Sequence, residues 1–449
     1  MADGAVNDVA NGSTNGVHKK KLNVVVVGGS LGGLTVGLAL KHLGHNVTIL
    51  ERNPTQLLHD QGAGIFAGGD TLEVFKRYDR CNRPLAVTSR ELQYFNKNGD
   101  VVHRVVKDQD MTSWDVCYHI MRANFDGIKS GYCDQVPEPL PTDGKAVHLH
   151  DHKVTTFNEE GNGVRVYFEK GDGSKGSLFA DLLVGADGAS STIREILVPE
   201  VKRTYVGYIA LRGTVLETEA TDAAREAFQE KSALFHAPAI QILAYTMPGG
   251  NGSVKPGNRL LNWVYYVNLP SSELAEVLTD IDGVQHRNTV PPGKLNPKFW
   301  EKQKQIARDT LCPQFADLVC DTKKPFVQAI TDAISPNNEF LGGKVVLIGD
   351  ALAGFRAHTA ASTSQAAFDA MILADMIENK VSREKWKLET MGFARTVQKR
   401  GVDMGRRSQY ETLPIEEYIS DRARASKPRK DEVWPEWAIA DLQPNSAPA

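Results

Sequence analysis

The sequence predicts a two-domain protein of the α/β class, with an α+β arrangement of the two domains. The predicted parts are a parallel sheet built from βαβ units, an inserted antiparallel sheet and a C-terminal helical region. Two observations support this prediction. An apolar run, residues 22–27, breaks into a glycine turn that leads into a helical stretch and a second strand at residues 47–50. This is the order of a βαβ unit, whose parallel strands place the turn at the carboxyl edge of the sheet. From about residue 205 to residue 268, the pattern changes to strands of an antiparallel sheet.

A further buried strand, residues 344–348, follows the antiparallel region and leads to a long amphipathic helix at about residues 362–378. We assign this strand and helix to the parallel sheet. The predicted segments are a disordered tail (1–21), the first part of a Rossmann-like domain (22–200), the sheet-rich domain (201–340), the second part of the Rossmann-like domain (341–380) and a C-terminal helix and tail (381–449).

Composition and charge exclude several classes of protein. The formal net charge of the 449 residues is −3, so the basic surface that a nucleic-acid binder needs is missing. The five cysteines are scattered without CxxC spacing, which argues against a metal site and favours a reducing compartment, the cytoplasm. The amino-terminal residues lack the apolar region of a signal peptide, and no segment is apolar enough to span a membrane.

The first glycine turn has the chemistry of a pyrophosphate site. Gly28 permits the tight turn, Gly33 lets the helix pack closely on the strand, and Ser30 stands where the G-x-G-x-x-G pattern has its second glycine. The N-terminus of the helix offers free N–H groups and a positive dipole end to a phosphate. The predicted contacts to a dinucleotide in this turn are Gly28, Ser30, Leu31, Gly32 and Gly33.

An acidic residue closes the second strand of the βαβ unit. Glu51 follows the turn by about 20 residues, where a carboxylate accepts hydrogen bonds from a ribose 2′-hydroxyl. We therefore predict that Glu51 and the neighbouring Arg52 bind the adenosine half of the dinucleotide. The motif by itself does not distinguish FAD from NAD.

Two later Gly-Asp segments distinguish these cofactors by resemblance. Val184-Gly185-Ala186-Asp187-Gly188 and Val346-Leu347-Ile348-Gly349-Asp350 each place an aspartate at the end of an apolar strand. Together with the first turn, they resemble the three FAD fingerprints of the para-hydroxybenzoate hydroxylase superfamily. The resemblance implies that Asp187 and Gly349 belong to the FAD site and that Asp350 binds the ribityl chain. It also implies that the helix after Asp350 points its N-terminus, with Ala360 and Ala361, at the flavin, where its N–H groups stabilise negative charge.

Further segments are similar to the 2,6-dihydroxypyridine 3-monooxygenase-like branch of that superfamily over roughly residues 23–408. They include Trp114-Asp115-Val116-Cys117-Tyr118, Asn262-Trp263-Val264-Tyr265-Tyr266 and His358-Thr359-Ala360-Ala361. This resemblance places Arg122 where the family has an arginine that contacts FAD. The chain departs from the branch at Ala357, in place of a proline, and at Ser362, in place of a glycine.

The resemblance implies a monooxygenase that uses FAD, O2 and transiently docked NADPH or NADH to hydroxylate a small aromatic substrate through a flavin C4a-hydroperoxide. It is compatible with a homodimer. His358, in the loop before the flavin-facing helix, is the candidate acceptor of a substrate proton, and His119 is the weaker candidate. Aromatic residues of the sheet are expected to cover the substrate, with Tyr245 and Tyr265 as catalytic candidates. Since side chains alternate along a strand, either Trp263 and Tyr265 or Tyr266 face the substrate, not both.

Other functions of the same fold stay open from the sequence. They are epoxidation, decarboxylative hydroxylation, halogenation and non-catalytic dinucleotide binding. A halogenase is expected to contain a Trp-x-Trp-x-x-Pro segment, which the sequence lacks. Yellow colour and substrate-stimulated oxidation of NADH or NADPH are expected only of an enzyme.

Overall fold

The computed structural model describes residues 20–59, 64–425 and 433–442. The predicted tail, residues 1–21, lies outside this range apart from Lys20 and Lys21, and so do residues 426–432 and 443–449 of the predicted C-terminal tail.

The strands of the described residues are β1 (Asn23–Val27), β2 (Asn46–Leu50), β3 (Gly64–Phe66), β4 (Val87–Phe95), β5 (Val101–Ser113), β6 (Ala146–Leu149), β7 (Lys153–Glu160), β8 (Gly163–Glu169), β9 (Lys175–Ala180), β10 (Leu182–Gly185), β11 (Thr204–Leu216), β12 (Ser232–Ala237), β13 (Ile240–Met247), β14 (Leu260–Asn268), β15 (Thr289–Val290), β16 (Phe326–Ile334), β17 (Glu339–Phe340), β18 (Val345–Leu347) and β19 (Ala353–Gly354). The α-helices are α1 (Leu31–His42), α2 (Gly69–Tyr78), α3 (Trp114–Asp126), α4 (Thr192–Leu197), α5 (Asp222–Phe228), α6 (Ser271–Val277), α7 (Pro297–Thr310), α8 (Pro313–Cys320), α9 (Ser362–Ile377), α10 (Arg383–Gln409), α11 (Ile415–Ala425) and α12 (Glu436–Ile439).

The parallel sheet has six strands in the order β17-β18-β10-β1-β2-β6. All neighbours are parallel except β17, which runs antiparallel to β18 at the edge. β1 is central because its run of four valines is buried, as a strand covered on both faces must be. α1 packs against α3 and α9 on one face of this sheet. The predicted βαβ unit is therefore present.

The second sheet has the order β15-β16-β11-β14-β13-β12-β4-β5-β3, and β19 pairs with β16. One face of its central strands forms a core with α5, α7 and α8, which contains Trp263, Phe228 and Phe315. The opposite face turns toward the carboxyl edge of the parallel sheet. This face carries Tyr208, Val264, Tyr266 and Ile330.

The second sheet contains more of the chain than the sequence indicates. The predicted boundaries, 22–200 and 201–340, assign residues 64–113 to the Rossmann-like part, whereas β3, β4 and β5 belong to the second sheet. The join is the parallel pairing of β4 with β12, in which Leu92 lies opposite Ser232. Such a pairing between distant segments leaves no local signal, because each strand carries only its own alternation.

The remaining elements cover the parallel sheet. The small antiparallel sheet β7-β8-β9 packs its apolar face against β1, β10 and β18. The long helix α10 begins at Ser382, whose hydroxyl accepts a hydrogen bond from the Lys385 amide, and runs past α9, β14 and β16. Within the residues described, no helix is both long enough and apolar enough to cross a membrane.

Candidate active site

The three predicted fingerprints meet at the carboxyl edge of the parallel sheet. Val27 pairs with Gly185 between β1 and β10, and Gly185 pairs with Leu347 between β10 and β18. β1, β10 and β18 all end at this edge. Three segments therefore follow side by side: the Gly28 turn, Asp187 and Gly349-Asp350. A Cβ atom added to Gly28 would lie 2.5 Å from the Ala186 carbonyl oxygen, which measures how closely the first two fingerprints approach. A crevice at this edge is where α/β sheets bind their ligands.

The first turn has the geometry that its glycines predict. Gly28 has φ +100°, a conformation that glycine adopts without strain, and a Cβ atom on Gly33 would overlap the Gly28 carbonyl oxygen. α1 begins at Leu31, and its N-cap residue, Ser30, makes no side-chain bond to the helix amides. The Ser30 hydroxyl instead accepts a hydrogen bond from the Trp114 indole at 3.3 Å. The first amides of α1 are therefore left for a phosphate.

Glu51, the predicted ribose contact, follows β2 directly beside the glycine turn. Its Oε2 accepts a hydrogen bond of 2.7 Å from the Gly29 amide, and its Oε1 accepts one of 2.8 Å from the Asn53 amide. These bonds hold the carboxylate beside the glycine turn with acceptor capacity to spare for a ribose. Arg52 is exposed beside it.

Arg122, the predicted FAD contact on α3, is bonded to protein groups in this structure. Only 1% of the residue is exposed, and its guanidinium donates to the Asp126 carboxylate, the Tyr118 hydroxyl and the Gln56 carbonyl. It also lies 3.5 Å from the His150 ring. The bond to Gln56 joins α3 to the segment after Glu51, and the predicted contact of Arg122 to FAD stays a prediction.

Asp187 also turns toward protein groups. Its carboxylate accepts hydrogen bonds from the Ser191 hydroxyl at 2.5 Å and from the Thr192 amide at 2.6 Å. Burial raises the pKa of the Asp187 carboxyl, and these bonds oppose the rise. Asp187 thereby anchors the start of α4 at the second fingerprint.

Asp350 is the carboxylate that faces open space. It lines a cleft between the two sheets together with Ala189, Arg203 and Ser362, and its Oδ1 is buried with no hydrogen-bond partner among the described residues. Burial raises the pKa of the Asp350 carboxyl. A buried carboxylate oxygen that lacks a donor is unfavourable unless a ligand supplies one. The hydroxyls of a ribityl chain are donors of this kind.

Two helix N-termini converge on the same edge. A Cβ atom added to Gly32, in the first turn of α1, would lie 3.7 Å from the Ala366 Cβ atom of α9. Ala366 also lies 3.3 Å from the corresponding position on Gly349. Ala360, just before α9, has a positive φ of +50°, and the Ala361 amide lies 3.4 Å from the Thr359 hydroxyl oxygen. These residues fit FAD. The amides at the start of α1 would bind the pyrophosphate, Asp350 would bind the ribityl chain, and the start of α9 would face the flavin ring.

The assignment of Asp350 predicts the effect of removing it. Asp350→Ala should weaken FAD binding by roughly 10- to 100-fold, because a hydrogen bond to a charged group contributes about 1.5–3 kcal/mol. The measurement is a titration of the apoprotein with FAD, followed by flavin fluorescence. Asp350→Asn keeps an acceptor and should show a smaller loss. Unchanged FAD affinity in a variant with the circular dichroism spectrum of the parent protein would contradict the assignment.

The cleft continues from Asp350 to the second sheet. On the sheet, the cleft is also lined by Arg212 of β11 and by five residues of β16, namely Gln328, Ala329, Ile330, Thr331 and Ala333. On the flavin-facing loop, residues 353–361, it is lined by Gly354, Phe355 and Ala357. The Arg212 Nε is buried without a hydrogen-bond partner among the described residues. Arg212 was missed in the sequence, although it alternates with Tyr208 and Ala210 along β11 and therefore shares their face.

The tyrosine candidates lie on opposite faces of the sheet. The Tyr245 hydroxyl lies between Gly64 and Asn262, at 2.5 Å from the position of a Cβ atom on Gly64. Burial raises the pKa of this hydroxyl, and the charge of Arg212 opposes the rise. Tyr265 packs with Trp263 in the core under α7 and α8, so the structure does not bring this catalytic candidate to the cleft. Its neighbour Tyr266 is the residue on the cleft side.

His358 lies next to the cleft rather than in its wall. It follows Ala357, is 3% exposed and stacks on Tyr266, with ring centroids 3.9 Å apart. Its Nε2 lies 3.1 Å from the Tyr208 hydroxyl. His119, the weaker candidate, lies on α3 and stacks on Tyr132. Burial lowers the pKa of His119 to about 4.

Comparisons with known proteins show what this chain is similar to. A family model described as FAD binding domain-like matches residues 205–332. The chain is 30% identical to 2,6-dihydroxypyridine 3-monooxygenase of Paenarthrobacter nicotinovorans over 355 residues, 79% of this chain and 82% of that protein. It is 24% identical to 6-hydroxynicotinate 3-monooxygenase of Pseudomonas fluorescens, over 78% and 81% of the two chains. The structure of 2,6-dihydroxypyridine-3-hydroxylase from Arthrobacter nicotinovorans superposes with a TM-score of 0.76 at 26% identity, covering 88% of this chain and 95% of that one.

The fold and the relatives identify the chain as an FAD-dependent monooxygenase. More narrowly, the chain belongs to the FAD-dependent aromatic hydroxylases, the family of 2,6-dihydroxypyridine 3-monooxygenase. The resemblance found in the sequence is thereby confirmed.

Proposed function

We propose that this enzyme uses NADH or NADPH and O2 to hydroxylate a small, electron-rich aromatic or heteroaromatic ring that carries an anionic or carbonyl oxygen. The single observation that carries the proposal is Arg212, a guanidinium in the wall of the cleft whose Nε has no hydrogen-bond partner among the described residues. A buried cationic donor of this kind calls for an acceptor from the substrate. The hydroxypyridine and hydroxynicotinate named for two relatives carry such oxygens.

The reaction balances with the proposed co-substrates. One oxygen atom of O2 enters the ring, the other leaves as water, and the nicotinamide supplies two electrons. Bound FAD, once reduced, supplies the activation of O2. No second βαβ unit with a glycine turn is visible in the sequence, which supports transient docking of the nicotinamide.

The residues of this chain position and activate the ring. Arg212 would bind a ring oxygen and favour its ionised form, since a nearby positive charge lowers the pKa of a hydroxyl. An ionised ring is more electron-rich and therefore more reactive at the neighbouring carbon. Gln328, in the wall of the same cleft, would supply a further hydrogen bond to the ring. The apolar surface of Ile330, Phe355 and Ala357 excludes water from the reacting carbon.

The proposal is tested with the purified protein. It should be yellow and release FAD, not FMN, on heating. Hydroxylated pyridines and benzenes, with and without a carboxylate, should be screened for stimulated oxidation of NADH and NADPH under 18O2. A product heavier by one labelled oxygen atom supports hydroxylation, and loss of CO2 in the same step identifies the decarboxylating variant of the reaction. If the flavin is bound but no compound in the screen stimulates oxidation, the substrate class is wrong.

The role of Arg212 makes its own prediction. Arg212→Ala should raise the KM of the aromatic substrate by roughly 10-fold or more, given about 1.5–3 kcal/mol for a charged hydrogen bond. FAD affinity should change little, because Asp350 and the helix N-termini bind the cofactor. The matched control is Arg90→Ala, an exposed arginine on β4 of the same sheet. Steady-state kinetics in which both variants have the KM of the parent protein would remove Arg212 from the substrate site.

A further inference from the structure

Three polar side chains form a buried cluster between the second sheet and the flavin-facing loop, residues 353–361. They are Tyr208 on β11 and Arg356 and His358 in the loop, which are 0%, 8% and 3% exposed. The Tyr208 hydroxyl lies 3.1 Å from His358 Nε2 and 3.4 Å from Arg356 Nη1. The pair of Tyr208 and Tyr266 encloses the His358 ring on the sheet side.

The direction of each hydrogen bond in this cluster follows from the donor inventory. A guanidinium only donates, so the Tyr208 hydroxyl oxygen accepts from Arg356. His358 Nε2 is the acceptor that lies within hydrogen-bond distance of the Tyr208 hydroxyl among the described residues, so we assign the hydroxyl proton to this contact, with a lone pair on Nε2. In a neutral imidazole, an acceptor at Nε2 places the ring proton on Nδ1. The cluster therefore selects one of the two tautomers of His358.

Arg356 is held in the orientation that this chain of bonds needs. Its Nε donates to the Asp332 carboxylate at 2.8 Å and its Nη2 to the other oxygen of the same carboxylate, on β16. This two-point contact leaves Nη1 for the Tyr208 hydroxyl. The guanidinium also lies 5.8 Å from the centroid of the Tyr208 ring.

Helix α10 closes the cluster from outside. A Cβ atom on Gly405 would overlap the Tyr208 hydroxyl, and one on Gly401 would lie 3.2 Å from the Thr359 side chain and 3.5 Å from Arg356. Two glycines four residues apart on one face thus let the helix backbone approach the cluster. Little room is left for water to replace Tyr208 as the partner of His358.

We propose that Tyr208 and Arg356 are positioning residues that fix His358 as the neutral tautomer with its proton on Nδ1 and so hold the flavin-facing loop against the sheet. The inference rests on the proposed function only for its effect on turnover. It replaces the expected role of His358 as proton acceptor, because Nε2 is already bound to a donor and Nδ1 already carries a proton. The loop contributes Phe355 and Ala357 to the cleft, so its position decides how well water is excluded from the reacting atoms.

The test is Tyr208→Phe in the FAD-loaded enzyme, with Tyr205→Phe as the matched control. Tyr205 lies on the same strand, and its hydroxyl donates to the Leu269 carbonyl at 2.8 Å, away from the cluster. 15N-labelled histidine reports the tautomer by NMR, and His358→Gln assigns the signal. In the parent and the control, His358 should have a protonated Nδ1 and an unprotonated Nε2 at neutral pH. In Tyr208→Phe, the proton should move wholly or partly to Nε2.

The same variants are compared in turnover. Tyr208→Phe should lower kcat for hydroxylation severalfold and raise the share of NAD(P)H that ends as hydrogen peroxide, with FAD affinity and KM close to those of the parent. A His358 that is protonated at Nε2 in the parent, or whose tautomer is the same in Tyr208→Phe, overturns the inference. If the parent hydroxylates no aromatic compound but the tautomer changes as described, the substrate proposal fails and the inference about the cluster stands.

Discussion

Replacing Gly33 by alanine should strongly weaken the binding of FAD. The added Cβ atom would overlap the Gly28 carbonyl oxygen, which belongs to the backbone of the turn and has no rotamer by which to move away. Either α1 shifts from β1 or the turn opens, and both displace the helix amides from the pyrophosphate. Overpacking of this kind costs about 1–3 kcal/mol and occasionally more, so we expect FAD affinity to fall by roughly 10- to 100-fold or further.

The matched control for Gly33→Ala is Gly69→Ala at the start of α2. Gly69 has an ordinary φ, and a Cβ atom there would meet no atom within 4 Å. This control should retain FAD like the parent protein. Flavin content after gel filtration and the dissociation constant from fluorescence titration are the measurements. If Gly33→Ala were isolated as yellow as Gly69→Ala, the turn would not be the pyrophosphate site.

Replacing Arg259 by alanine should lower the free energy of unfolding by a large amount. Arg259 and Glu217 are each 2% exposed, and the guanidinium donates to both Glu217 carboxylate oxygens, at 2.6 and 3.0 Å. Arg259→Ala leaves the Glu217 charge buried without its partner, a loss of about 3–5 kcal/mol. This is a large fraction of the roughly 5–15 kcal/mol by which proteins are stable. Urea unfolding at a fixed FAD concentration measures the difference in the free energy of unfolding.

Two comparisons make the Arg259 experiment specific. Arg165→Ala removes an exposed ion pair with Glu160 and should leave the urea midpoint nearly unchanged. A double variant, Arg259→Met with Glu217→Leu, removes both charges and should recover much of the stability lost in Arg259→Ala. Equal midpoints for Arg259→Ala and Arg165→Ala would show that the buried pair contributes nothing.

The Arg259 pair also predicts a dependence on pH. Burial would raise the pKa of the Glu217 carboxyl, but the bonds from Arg259 and the Gly257 amide lower it below its ordinary value. A carboxyl whose pKa is lower in the folded chain stabilises the fold above the pKa of the unfolded chain. The contribution is therefore present at neutral pH and is lost as the pH falls through the acid range below the ordinary glutamate pKa. The stability difference between the parent and Arg259→Ala should shrink in the same range.

Local chemistry explains what the sequence could predict. The βαβ unit and the tight turn at Gly28 and Gly33 follow from short segments whose residue types have one dominant use. Asp350 was singled out by the family resemblance, because a Gly-Asp pair by itself also marks an ordinary turn. Alternation along β14 leaves two alternatives for the face toward the cleft, and choosing between Tyr265 and Tyr266 required knowing which layer lies on each side. That layer, α7 and α8, comes from a distant segment.

Long-range contacts explain what the sequence could not predict. Arg122 stands in a family motif, yet it also donates to the carbonyl of Gln56, a distant residue in a loop with no regular pattern. The position of β4 also depends on a distant segment, because its neighbour in the sheet is β12. In both cases the deciding partner is far along the chain, and no spacing or composition marks it.

The pairing of β4 with β12 also has a consequence for how this protein is made. The chain leaves the parallel sheet after β2, builds β3 to β5, and returns for β6 and β10 before it reaches β12. On the ribosome, β4 therefore has one open edge until residue 237 has been synthesised, and an open strand edge is a template for association between nascent chains. Neither sheet is a contiguous piece of the chain, so no simple truncation yields one of them complete. Folding must wait for pairings between distant segments, which makes this a slow-folding topology whose yield depends on protection of the unfinished sheet.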